Sequence, residues 1–163
     1  MDMKRLISTV ILAVAILATQ SCGVMTPSQP NELAVNAKVE TGIYITVNSI
    51  YGKSGRPVFS SGEYYLNIED SKVSSYLPFF GESYGATSGY GTTSGIEFDK
   101  YPVRITETRD REMRVWTFTA EQGQESIKVT IEFSDSGNAS ITCTSSTRSV
   151  MRYSGEITSR PER

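Results

Sequence analysis

The chain contains no histidine, so any acid–base chemistry it performs must fall to its carboxylates. That absence also removes Ser-His and Cys-His nucleophile pairs and any imidazole ligand for a metal. Glu97 and Asp99 are the acids whose spacing fits a reaction best. A strand would project both from one face, about 6.5 Å apart by strand rise, near the gap that inverting glycosidases use. The plainer reading makes them the solvated outer face of a strand that buries Ile96 and Phe98. That reading carries far more weight, which leaves a carboxylate-dependent glycan hydrolase as the least favoured function. Cys143 alternates with Ala139 and Ile141, the position of a buried, inert thiol.

Several local patterns fail on spacing or context. Gly52-Lys53-Ser54 lacks the leading glycine of a phosphate loop, whose place is taken by Val47. The run Gly89 to Gly95 is one residue out of step for a dinucleotide fingerprint and precedes a strand. Lys53-Ser54-Gly55 echoes a penicillin-binding element, yet no serine lies three residues before any lysine. Asn138-Ala139-Ser140 is a chance sequon. No metal site and no cofactor follow from these residues, and no enzyme is expected.

Aromatic residues set among glycines offer more. Phe79, Phe80, Tyr84 and Tyr90 are spaced by Gly81, Gly85, Gly89 and Gly91. They would form a lip over a cavity or an edge that binds a partner. Tyrosine presents a flat apolar face with a polar tip, suited to sugars, lipids or proteins. Against this, Tyr76, Leu77, Phe79 and Phe80 are equally readable as core, with the glycines serving turn geometry. The core reading is the stronger for Tyr76 to Phe80, and the contact reading for Tyr84 and Tyr90. The arginines at 104, 109, 111, 114, 148 and 152 are interspersed with acids, which predicts a mixed solvated surface.

The elements that must hold this loop are strands. Asn31 would cap a short helix running to Val39, with Gly42 beyond its end. From Gly42 onward the hydrophobic period becomes two, as in Ile43, Ile45 and Val47. Further strands follow at Val58-Phe59, Tyr64 to Glu69, Val73 to Leu77, Ile96 to Phe98 and Val103 to Ile105. Met113 to Ala120 is apolar on both faces, which suits a central strand. Ile127, Val129, Ile131 and Phe133 give the cleanest alternation, and Asp135-Ser136-Gly137-Asn138 is a hairpin turn. Strands at Ala139 to Thr144 and Val150 to Ile157 close the series. Eight to ten short strands leave little room for crossover helices, so consecutive antiparallel pairing is expected. The fold class is a single all-β domain, meander-like, closed as a barrel or folded as a sandwich.

The first residues have the form of an export signal. Lys4 and Arg5 precede an apolar run, Leu6 to Ala18, too short to span a bilayer. The run ends at Thr19-Gln20-Ser21-Cys22, which resembles a bacterial lipoprotein signal with Cys22 as the lipidated residue. The alternative is an ordinary secretory signal cleaved nearby. On the lipoprotein reading, residues 1–21 are removed and residues 22–30 form a tether (Gly23 to Pro30 is small, polar and proline-bearing). Residues 31–158 are the β-domain and 159–163 a polar tail. The lipid would make the membrane a partner without a transmembrane helix. Loss of Asp2, Lys4 and Arg5 shifts the formal charge from −2 to −3, which argues against nucleic acid. Cys143 is the only other cysteine, so no internal disulfide is expected and the core alone must hold the fold.

The order of landmarks resembles one family. Gly62-Glu63-Tyr64-Tyr65-Leu66, Ser75-Tyr76-Leu77-Pro78-Phe79-Phe80-Gly81, Tyr84-Gly85-Ala86 and Gly95-Ile96-Glu97-Phe98-Asp99 carry the likeness. Asp135 to Ser140 and Tyr153-Ser154-Gly155-Glu156-Ile157 extend it. These resemble the Bacteroidetes lipoproteins grouped as domain of unknown function forty-two fifty-one, over about Val39 to Ile157. Phe79 stands where that family leads one to expect tyrosine. The resemblance implies a small envelope β-domain and brings no assigned activity or catalytic residues. In those bacteria, surface export is associated with acidic residues soon after the lipidated cysteine, and Gly23 to Asn31 has none. An outer-membrane anchor facing the periplasm is therefore expected.

Together these readings predict a non-catalytic envelope lipoprotein that binds an apolar, glycan or protein partner through the aromatic loop. The rival is a structural or assembly subunit whose sheet edge or face docks another envelope protein.

Overall fold

Alternation with a period of two commits this chain to strands, because it gives each segment one face to bury. The computed structural model describes residues 29–52, 54–61, 63–82, 84 and 95–161, which form an all-β fold. One turn of helix, α1 (Glu32–Val35), precedes β1 (Ile43–Tyr51), β2 (Pro57–Phe59), β3 (Tyr65–Glu69), β4 (Lys72–Leu77) and β5 (Ile96–Pro102). Then come β6 (Thr106–Asp110), β7 (Met113–Gln122), β8 (Glu125–Phe133), β9 (Asn138–Ser145) and β10 (Met151–Ile157).

The ten strands form one sheet of order β5-β4-β3-β1-β10-β9-β8-β7-β6, with β2 also paired to β1. All its pairings are antiparallel. The order is a meander bent back on itself. The first strand closes against the last through β1 and β10, while β5 and β6 sit at the two ends of the order. The sheet curls into a half-barrel, and β5 comes alongside β7 across the break. There Gln122 Nε2 donates to the Gly95 carbonyl at 3.1 Å.

Val103 and Ile105 are not a strand but the connection from β5 to β6. They pack against the core, and Val103 N–H bonds the Ser71 carbonyl at 2.9 Å. Their alternation half-buries two side chains, but the segment passes between opposite sheet edges and finds no ladder to join.

Inward faces fill the curl. On β8, Ile127, Val129, Ile131 and Phe133 are each at most 1% exposed, and each contributes about 1.5–3 kcal/mol by burial. Trp116 meets Phe133 edge-on, with ring centroids 5.3 Å apart. Met151 and Tyr153 from β10 are equally sealed. Side chains therefore occupy the middle of the half-barrel.

One end is closed by α1. Asn31 Oδ1 accepts from the backbone N–H of Leu33 and Ala34 at 3.0 and 3.3 Å, the expected cap. The same side chain donates from Nδ2 to the Ile157 carbonyl at 2.9 Å, and its backbone N–H reaches the Asp135 carbonyl at 2.8 Å. The helix ends at Val35, not at Val39 as the sequence suggested. The reason is tertiary. Buried Ala34 and Ala37 bring the chain down onto the barrel, and a tight Lys38–Gly42 turn then feeds β1. Gly42 has φ +79°, and a Cβ there would lie 1.8 Å from the Ile68 carbonyl oxygen.

Arg114 completes this end. Its guanidinium donates to the carbonyls of Ala34 and Ala37 at 3.2 and 2.6 Å, tying β7 to the end of α1 and the chain just past it. It also pairs with Glu107 at 2.7 Å and lies 5.0 Å from the Phe133 ring centre. Partial burial works against charge on Glu107, but the Arg114 guanidinium, with help from Trp116 and Arg109, outweighs it and holds the carboxyl below its ordinary value. The sequence placed Arg114 on a mixed solvated surface. In the fold its side chain is only 13% exposed, because every face of the guanidinium has a partner.

Candidate functional site

At the other end, the chain leaving β4 is clamped to the turn between β9 and β10. Ser149 N–H donates to the Glu82 carbonyl at 2.8 Å, and Tyr84 N–H to the Thr147 carbonyl at 2.7 Å. Glu82 N–H returns to Ser149 Oγ at 2.9 Å, and Tyr153 donates its hydroxyl to the Pro78 carbonyl at 2.8 Å. Gly81 permits this approach, since a Cβ there would come within 2.1 Å of Ser149 Oγ. The stem of the aromatic loop is therefore fixed by backbone hydrogen bonds.

Beneath the stem lies a buried ion pair. Arg148 Nη2 meets Glu125 Oε2 at 2.5 Å, with side chains 13% and 9% exposed. Ser145 donates its hydroxyl to the other oxygen of Glu125. The Arg148 guanidinium carbon sits 5.3 Å from the Phe79 ring centre. Arg148, like Arg114, was read from the sequence as solvated. It is buried because Glu125 opens β8 directly below the β9–β10 turn.

The four aromatic candidates separate. Phe79 is 7% exposed and belongs to the core, so it offers no surface to a ligand. Phe80 is 52% exposed and Tyr84 63%, both on the rim. Tyr76 is also outward, tilted against Tyr64 at 5.4 Å, while Leu77 is buried. The extended chain past β4 keeps alternating, so neither a wholly core nor a wholly exposed reading of Tyr76 to Phe80 holds. Tyr90 lies outside the described residues, as does Cys22.

The sequence reading missed the other side of the rim. β2 pairs with the end of β1, which brings Val58 and Phe59 there at 49% and 79% exposed. Gly52 stands close enough to Phe80 that a Cβ would fall 2.6 Å from its carbonyl oxygen. Between Tyr84, this turn and the outer face of β10 runs an open groove of about 880 Å³. Tyr51, Arg148, Val150 and Arg152 contribute to its walls. The strand expected at Val58-Phe59 is β2, but its place beside the end of β1 depends on a pairing that no local pattern marks. Nothing local marked Arg152 as a groove residue.

Elsewhere, side chains suited to chemistry stand apart. Glu97 and Asp99 are exposed on the outer face of β5, opposite buried Ile96 and Phe98. Among the described residues, no three His, Cys, Asp or Glu side chains gather as a metal site would require. Cys143 is buried, and burial pushes its thiol up to about 12. Burial likewise raises Tyr153, with Cys143 adding to the shift and Arg148 opposing it.

No curated protein matches the chain. The sequence model described as Domain of unknown function (DUF4251) matches residues 28–157, the span that holds α1, all ten strands and the clamped stem. The chain belongs to that family.

Proposed function

We propose that this protein is a lipid-anchored, non-catalytic binding module of the cell envelope that meets its ligand through the rim carrying Phe80 and Tyr84. The observation that supports this is the polarity of the half-barrel. The described chain enters at Asn31, bonded to Asp135 and Ile157 at the α1 end. The exposed rings of Phe80 and Tyr84 stand at the opposite end, where the Tyr84 N–H meets the Thr147 carbonyl just beyond the eight residues of β9. Eight residues of strand span about 26 Å. A leash from Cys22 through residues 23–30 would thus hold the α1 end toward the lipid and aim the aromatic rim into the periplasm. Burial of one such ring against a ligand contributes about 1.5–3 kcal/mol.

An assembly subunit is the second reading, and the break in the sheet favours it. The β6 ladder follows β7 only as far as Thr117, and beyond it β5 lies beside β7 with no ladder of its own, so residues 118–122 of β7 keep backbone groups without a paired strand on that side among the described residues. Native mass spectrometry after mild detergent extraction separates the two. A small molecule that co-purifies, and is lost on Tyr84→Ala, supports the binding module; a stoichiometric protein instead supports assembly. Membrane fractionation tests the anchor: Cys22→Ser moves the protein to the soluble fraction, and an unchanged distribution overturns the lipid. Turnover of a glycan panel that disappears in Glu97→Gln would restore the hydrolase.

A further inference from the structure

We propose that the groove beside Tyr84 binds an anionic sugar, Arg152 taking the acidic group while Tyr51 and Tyr84 take ring faces. The inference rests on the binding-module reading and names a ligand class for that end of the fold.

The placement of Tyr51 is the first argument. β1 starts with Ile43, Ile45 and Val47 turned inward, and strict alternation would carry Tyr51 inward too. A bulge between Val47 and Ser49 inserts Asn48 as an extra residue. Beyond it Ile50 faces in, opposite Tyr153, and Tyr51 faces out beside Arg152. Cross-strand neighbours on one face stand about 5 Å apart, so ring and guanidinium share one wall.

Charge is the second. Among the described residues, the groove walls hold two arginines and no carboxylate, in a chain of 16 basic and 18 acidic residues. Arg148 is committed to Glu125. Arg152 is exposed and has no ion-pair partner among the described residues, and its neighbour on β9 is Thr142. Glu82 approaches the Tyr84 hydroxyl at 3.4 Å but lies outside the walls. A planar guanidinium takes a carboxylate or phosphate through two parallel hydrogen bonds. Tyrosine faces accept the apolar side of a sugar ring, and the hydroxyls of Ser140 and Ser154 stand on the same wall for its oxygens. The volume lies within the range of small-molecule sites, about 300–1,000 Å³.

Calorimetric titration of the detergent-solubilised full chain provides the test. The probes are trigalacturonate, its uncharged methyl ester and glucose 1-phosphate. The expected result is binding of at least one acidic probe, with the ester at least about tenfold weaker than the acid. Arg152→Gln, an exposed change that leaves the circular dichroism spectrum intact, brings the acidic probe down to the weak level. Preference for trigalacturonate or for the phosphate identifies which anion the guanidinium takes, and either supports the proposal. Equal binding of acid and ester, both lost in Tyr84→Ala, overturns the anionic assignment and leaves the binding module standing. Undiminished binding in both variants overturns the groove itself. Failure of every probe to bind overturns the anionic-sugar class, while the co-purification experiment still decides the module.

Discussion

The Arg148 guanidinium meets the Glu125 carboxylate at 2.5 Å beneath the loop stem, and both side chains are nearly sealed from water. The pair is the counterpart of Arg114 at the other end, where a guanidinium gathers the carbonyls of α1. Removing one partner strands the other in a poorly solvated place. Glu125→Leu should destabilise the fold by about 3–5 kcal/mol, whereas Glu125→Leu with Arg148→Met should recover much of that loss. Urea unfolding of the three proteins checks this. A double variant less stable than the single one would show that the charges hold the turn by attraction and not merely by mutual neutralisation.

Asn31 joins three segments through one side chain and its own backbone: α1, the β8–β9 turn and the end of β10. Asn31→Ala removes the cap and the bond to Ile157, and about 1–2 kcal/mol should go with them. Hydrogen exchange should show faster opening at Leu33 and Ala34 than in β8. Uniform loss of protection across the sheet would mean that the cap is coupled to the whole fold.

Phe79 and Phe80 are adjacent and should behave oppositely. Phe79→Ala leaves a cavity beside Arg148 and should cost about 3–5 kcal/mol. Phe80→Ala and Tyr84→Ala remove exposed rings and should change stability by less than about 0.5 kcal/mol. Chemical denaturation measures both. A costly Phe80→Ala would place that ring in the core and remove it from the binding rim.

Alkali should weaken the fold through two buried groups. The Cys143 thiol is raised from an ordinary value of 9.0 to about 12, and the Tyr153 hydroxyl is raised from 10.0. Both must ionise more readily when unfolded, so the unfolded chain binds fewer protons at high pH. Stability is then full below about pH 9 and falls as pH rises toward 12. Cys143→Ala should delay the onset toward pH 10, where Tyr153 takes over. Stability measured by urea at stepped pH checks the order. Iodoacetamide should leave native Cys143 unmodified at neutral pH and label it only on unfolding.

Much of the domain was legible in advance where only local pattern mattered. The inward set on β8, the buried Cys143 and the exposed Glu97 and Asp99 all follow from side chains alternating along an extended backbone. Asn31 announced its cap because capping involves residues two and three positions away. The same logic failed at Val103 and Ile105, whose alternation is real but whose neighbours are not strands. It failed again at the arginines, since 114 and 148 look in sequence like 109 and 111.

By itself, then, the sequence determined that the chain is all-β, where most strands run and which face of each is apolar. These are matters of period, decided within a few residues. Only the tertiary structure decided that β1 closes on β10, that Arg114 reaches the carbonyl of Ala34 eighty positions away, and that a bulge turns Tyr51 out beside Arg152. Those outcomes depend on how ten twisted strands curl, which brings distant residues together and which no local spacing encodes.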